Sequence, residues 1–158
     1  MLLIMCSLRS HNIKLLSALS LALFMSPMAQ PSVPTHNQSD FRCMVATLYH
    51  EARGEGVKGM EAVASVIMNR SKQARKSVCS IVYERKQFSW THVTKDKRIK
   101  GNIMDILSIT HKALSGVLVD VTHGATFYHT RHVKPFWVKH KVLTVQINNH
   151  IFYKDKHE

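Results

Sequence analysis

The sequence predicts an α+β fold, with helices first and antiparallel strands last, from three observations on its 158 residues. Apolar residues recur at helical spacing from Phe41 to Leu114, the period shortens to two beyond Gly116, and Asn148-Asn149 sits between two alternating runs. Each segregated block of one period needs a partner layer to bury its apolar side, which places a small sheet against a helical half.

Phe41, Met44, Val45, Leu48 and Ala52 predict a first helix over 40–53, with Ser39 or Asp40 as its cap and Gly54 and Gly56 as its stop. Met60, Val63, Ala64, Ile67 and Met68 predict a second over 58–73, packed on the first. Ser77 can cap a short third helix through Tyr83. Asn102 can cap a fourth, whose buried stripe is Ile103, Ile106, Leu107, Thr110 and Leu114, ending at Gly116. Val117-Leu118-Val119 and Thr126-Phe127-Tyr128 then read as strands, and Leu143 to Ile147 alternates. Asparagine tolerates positive φ, so a two-residue loop at Asn148-Asn149 pairs Ile147 with His150 and Val145 with Phe152.

Residues 1–29 carry no acid, bear Arg9 and Lys14, and contain the apolar run Leu15 to Met25, shorter than a bilayer-spanning helix requires. This is the profile of a secretory signal, or of an uncleaved anchor, since Pro27 is unfavourable for cleavage after Met28-Ala29. Residues 30–39, QPSVPTHNQS, are too polar and proline-rich for a core and read as a linker, leaving 40–158 as one domain. With Cys6 in the signal, Cys43 and Cys79 remain as an even pair, expected to form a disulfide in an oxidising compartment and to stay as two thiols in the cytosol. The expected location is therefore outside the cytoplasm, periplasmic or extracellular at the cell envelope.

The formal charge is +12, and loss of 1–29 would remove only two of the basic residues. Polyanions are attracted to such a chain. Its basic runs (Lys95, Lys97, Arg98, Lys100 and Lys134, Lys139, Lys141) lack the interleaved stacking aromatics of a single-strand binder, so anionic envelope polymers are expected as partners and nucleic acid is not. The chain is expected to act as a monomer.

Glu51 is the candidate catalytic acid. Met44, Leu48 and Glu51 follow one another at four and three, which puts the carboxyl at the edge of an apolar face near a helix C-terminus. Burial and the negative end of the helix dipole both disfavour its charged form. Raising a glutamate pKa by about two units takes about 3 kcal/mol, whereas the dipole supplies about 0.3–1 kcal/mol, so burial must do most of it. A neutral carboxyl there can protonate a glycosidic oxygen. Arg53, two residues on, points to another helix face. No second acid sits at a spacing that pairs it with Glu51. Glu55 is adjacent in sequence, but its flanking glycines leave its direction open among catalysis, capping the second helix and pairing with Arg53.

A zinc-protease motif is absent, because the second histidine of HExxH would fall at Gly54. His123, His129 and His132 form a weak candidate metal cluster; neither a metal nor another cofactor is expected.

Tyr49-His50-Glu51-Ala52-Arg53-Gly54-Glu55, Val66 to Arg70, Gln87-Phe88-Ser89-Trp90, Tyr128-His129, Pro135-Phe136-Trp137 and Asn149 to Tyr153 together resemble the catalytic domain of SleB-type cell-wall hydrolases. The resemblance runs from about Phe41 to Tyr153. It implies a lysozyme-like or lytic-transglycosylase-like arrangement and peptidoglycan as substrate. It also implies a single glutamate, here Glu51, serving as acid and then base while the sugar's own C6 hydroxyl attacks. Glu55, Asn69, Gln87, Ser89, Trp90, Tyr128 and His129 are then the expected substrate contacts, with Phe88 a core anchor and Asn69 also a support for the turn after the second helix. Two rival readings stand beside it: an N-acetylmuramoyl-L-alanine amidase, which relatives have been called, and a basic envelope-binding module without catalysis.

Overall fold

The computed structural model describes residues 37–93, 98–101 and 103–156. The expected signal, most of the linker, Cys6, Lys95, Lys97 and the Asn102 cap lie outside the described residues.

Helix α1 spans Gln38–Ala52 and starts two residues ahead of expectation, because Asn37, not Ser39 or Asp40, is the cap: its side chain accepts from Ser39 N at 3.1 Å. Asp40 is used elsewhere. It accepts from Cys79 N at 2.9 Å, satisfying an orphan donor in the first turn of α3, Val78–Val82, which Ser77 caps as expected. The Cys43–Cys79 disulfide joins the same two helices, with Cα atoms 5.3 Å apart.

Helix α2, Gly56–Ala74, follows after a tight reversal in which Gly56 takes φ +66, and ends at Arg75 in the left-handed region. A four-residue helix α4, Trp90–Val93, and then α5, Met104–Leu114, complete the helical half. The core between α1, α2, α3 and α5 contains Met44, Leu48, Val63, Ile67, Ile81, Val82, Phe88 and Ile109. Phe88 is buried in it, as an anchor should be.

The sheet has three strands in the order β1-β3-β2, where β1 is Phe127–Thr130, β2 Lys141–Ile147 and β3 His150–Asp155, all antiparallel. The hairpin register is the one the sequence predicts, Ile147 opposite His150 and Val145 opposite Phe152, with Asn148 at φ 49. A bulge at Thr144 shifts the register beyond it. Ala62 and Val66 of α2 pack on Ile147, Phe152 and Ala125, joining sheet to helices.

One expected strand is absent. Val117 and Leu118 both donate their amides back to Lys112 O, and Val117 and Val119 are exposed, so 117–119 extends the turn after α5 instead of finding a strand partner. The following loop closes around Asp120, which accepts from Thr122 N, Thr122 Oγ1 and Gly124 N. A 3-10 helix, Phe136–His140, lies between β1 and β2 and was not anticipated.

Candidate active site

Glu51 lies in the last turn of α1, half-buried, where the helix meets β1. Tyr128, from the middle of β1, donates its hydroxyl to Glu51 Oε2 at 3.0 Å. Its position follows from strand alternation: Tyr128 and Phe152 turn to the helix-facing side with ring centroids 5.7 Å apart, while Phe127 and His129 turn to the other. Burial raises the Glu51 pKa, and the Tyr128 hydrogen bond and the Arg70 charge oppose it. Burial also holds the Tyr128 hydroxyl well above the ordinary tyrosine range, with the nearby Glu51 charge adding to it. Tyr128 therefore stays a neutral donor and fixes one carboxyl oxygen. Among the described residues no hydrogen bond is made to the other Glu51 oxygen.

Arg70 supplies the positive charge. Its Nε donates to Thr126 O at 2.6 Å, its guanidinium carbon stands 5.7 Å from the Phe88 ring centroid, and burial lowers its pKa without removing its charge. Arg53 does not serve here. It lies over the Tyr49 ring at 4.4 Å, on the separate face that its spacing predicts.

The expected substrate contacts divide by environment. Gln87 and Ser89 are exposed, and Gln87 joins Arg70, Gln73, Glu84, Thr126 and Phe127 around a cavity of about 160 Å³. Trp90 is only 5 % exposed, with its ring stacked on His50 at 4.8 Å, so it packs in the core rather than presenting a face. Tyr128 likewise has its hydroxyl on Glu51 and its ring against Phe152 and His150. Asn69 donates to Asp120 at 3.0 Å and to Ala125 O at 3.1 Å, bracing the loop that leads into β1. Burial pushes Asp120 up, but the bonds from Thr122, Asn69 and Gly124 outweigh it and hold its carboxyl below the usual range.

Glu55 is at the N-cap position of α2 but makes no side-chain cap there and holds the hairpin tip instead. Its Oε2 accepts from Asn149 N at 3.0 Å and its carbonyl accepts from Asn148 Nδ2 at 2.6 Å. Gly59 permits the approach, since a Cβ there would meet Glu55 Cβ at 2.3 Å and Asn148 Nδ2 at 3.3 Å. His150 lies behind Tyr128; burial lowers its pKa, Glu55 opposes, and His129 adds to the lowering.

His129 engages both ring nitrogens, Nδ1 with Thr130 O at 2.8 Å and Nε2 with Tyr153 OH at 3.1 Å, and stacks on Tyr153. His123 and His132 are exposed. Among the described residues no three His, Cys, Asp or Glu side chains gather as a metal site.

Sequence reasoning placed Tyr128 among the substrate contacts and Arg70 only within the Val66 to Arg70 motif, and missed that both act on Glu51. The signal available was their membership of the same motif set. The pairing itself bridges 77 residues and no local pattern carries it.

Comparison with known proteins gives a consistent answer. Residues 54–153 match the model of the Cell Wall Hydrolase family, a match that begins just past Glu51. The spore cortex-lytic enzyme of Halalkalibacterium halodurans is 29% identical over 125 residues, covering 74% of this chain and 35% of that enzyme. The Bacillus cereus spore cortex-lytic enzyme is 29% identical over 129 residues, covering 75% of this chain and 46% of that enzyme. The chain thus spans less than half the length of either relative. The crystal structure of the B. cereus SleB catalytic domain superposes with a TM-score of 0.65 at 27% identity, over 80% of this chain and 99% of that domain. The catalytic domain of the germination-specific lytic transglycosylase SleB from Bacillus anthracis gives 0.62 at 26%, over 77% and 98%. With the family match covering most of the chain and the same helix-then-sheet architecture found in solved SleB domains, this protein belongs to the Cell Wall Hydrolase family.

Proposed function

We propose that this protein cleaves the MurNAc–GlcNAc backbone of peptidoglycan as a lytic transglycosylase, with Glu51 as acid and then base. The observation that carries the reading is a half-buried carboxyl with a raised pKa, one oxygen held by Tyr128 and the other available. Neutral Glu51 donates its proton to the glycosidic oxygen as the C1–O bond breaks, and the GlcNAc end leaves as an alcohol. The resulting carboxylate takes the proton of the muramoyl C6 hydroxyl as that oxygen bonds to C1. The product is a 1,6-anhydromuramoyl end, and Glu51 is protonated again.

A one-carboxylate route suits the disposition of Glu55, Glu84 and Asp120. Glu55 is committed to the hairpin tip, Glu84 pairs with Lys76 at 2.6 Å, and Asp120 accepts from its own loop and from Asn69. The relative named as a lytic transglycosylase adds support by its likeness. Gln87, which lines the Arg70 cavity, and Ser89, exposed two residues further along the chain, are the substrate contacts we assign first, and export to the envelope is the location that fits the amino-terminal 29 residues and the Cys43–Cys79 pair.

Digestion of purified sacculi followed by mass spectrometry of the soluble fragments tests the reading. Anhydro ends are the expected product. Reducing sugar ends would replace it with hydrolysis by water, and newly freed L-alanine amines would replace it with the amidase reading. Absence of any fragment would leave the non-catalytic envelope-binding module.

A further inference from the structure

Between Val121 and Lys154 the chain contains no Asp or Glu, and its most exposed part, 131–140, holds Arg131, Lys134 and Lys139 with His132 and His140. The ion pairs Lys76–Glu84 and Lys141–Asp155 involve none of these three cations. In the same stretch stand two large apolar side chains turned to solvent, Phe136 at 84 % exposure and Val133 at 55 %.

Local geometry explains why Phe136 is outside. Pro135, with φ −65, starts the 3-10 helix, and the next residue but one, Trp137, turns inward against Phe127, His129 and Tyr153, at centroid distances of 5.6, 5.7 and 5.6 Å. Trp137 thus closes the outer face of the sheet, and Phe136 is left on the far side of it. In a 3-10 helix residues three apart eclipse one another, so Phe136 and Lys139 share an edge. On the edge strand β2, Leu143, paired with Tyr153, is exposed as well.

We propose that this tip is a docking surface for an anionic lipid bilayer, with Phe136 and Val133 entering the interface and Arg131, Lys134 and Lys139 meeting the headgroup phosphates. Charge complementarity selects a polyanionic surface. The exposed apolar pair selects a bilayer over a soluble or wall-bound polyanion, because only the bilayer supplies an apolar phase for Phe136. The surface lies on the opposite side of β1 from Tyr128, so docking leaves the Glu51 contact untouched.

The test is sedimentation of the full chain with vesicles of phosphatidylcholine, alone or mixed with phosphatidylglycerol. The apolar amino-terminal run is common to all variants, so differences between them report the tip. K134E/K139E is expected to weaken binding to the anionic vesicles by about tenfold or more, with little change on neutral ones. Phe136→Ser is expected to weaken it by roughly tenfold, and Phe136→Trp to retain it. Thermal unfolding of each variant checks that the fold is kept, and Glu51→Gln, which tests the catalytic reading, should bind like the parent. Parent-like binding by both K134E/K139E and Phe136→Ser would overturn the proposal. So would loss on charge reversal with no effect of Phe136→Ser, which would assign the tip to polyanions in general.

Discussion

The Tyr128 hydroxyl stands 3.0 Å from Glu51 Oε2, joining the first helix to the first strand across the residues that make up the rest of the helical core. Because this bond favours the charged carboxylate, its removal should raise the Glu51 pKa further. Tyr128→Phe is therefore expected to move the basic limb of the pH–rate profile to higher pH and to lower kcat by about tenfold, the scale of a positioning bond, with KM little changed. A profile with unchanged limbs would show that the hydroxyl does not act on Glu51.

Glu51→Gln separates chemistry from stability. Activity on sacculi should fall by about a thousandfold, within the range of a lost general acid. Stability should move the other way. A carboxyl whose folded pKa is raised binds more protons in the native state than in the unfolded one, so folding stability declines as pH climbs from the unfolded value through the folded value. The glutamine variant escapes that decline. It should match the parent below the unfolded pKa and exceed it near neutrality, by up to about 1 kcal/mol, the scale of a functional group held at a cost. Urea midpoints at acidic and neutral pH measure this, and an equal effect at both would remove burial as the cause of the shift.

How far the sequence revealed this arrangement depended on the range of the interaction. The Asn148-Asn149 hairpin was legible to the residue because alternation and a turn residue that tolerates positive φ are both local. Glu51 was legible as a half-sheltered acid because helical spacing alone places it beside Met44 and Leu48. Val117 to Val119 misled because β-branched residues predict a strand only when another strand is there to pair with, and here Lys112 takes the amides instead. The 3-10 helix left no periodic signal, since it is five residues long and none of them is fully buried. The roles of Tyr128 and Arg70 are long-range, and only folding brings them to Glu51.

The disulfide and Asp40 form a double latch between α1 and α3, at the end of α1 remote from Glu51. C43A/C79A should cost about 2–4 kcal/mol of stability, since closing a loop of this length restricts the unfolded chain. Asp40 still holds Cys79 N in the variant's backbone, so the helices stay docked and activity on sacculi at low temperature should remain near that of the parent. Chemical denaturation with and without reductant reads the first effect. A variant that loses activity in proportion to stability would show that the latch sets the position of Glu51 as well.

Glu55 gives the sharpest contrast with Glu51, because both acids fall in one short motif and the structure uses them differently. The Glu55 carboxylate receives Asn149 N, and Glu55 and Asn148 meet over Gly59, so its side chain ties the start of α2 to the tip of the hairpin. Glu55→Gln keeps an oxygen acceptor for Asn149 and should lose less than about 1 kcal/mol, while Glu55→Ala leaves that amide without its charged partner and should lose about 1.5–3 kcal/mol. Neither removes Glu51, the proposed proton donor. Activity on sacculi at a temperature where both stay folded should therefore fall by no more than a few fold for Glu55→Gln, against the near-complete loss for Glu51→Gln. A thousandfold loss in Glu55→Gln with unchanged unfolding would place this carboxylate in the chemistry and replace the one-acid mechanism with a two-acid one.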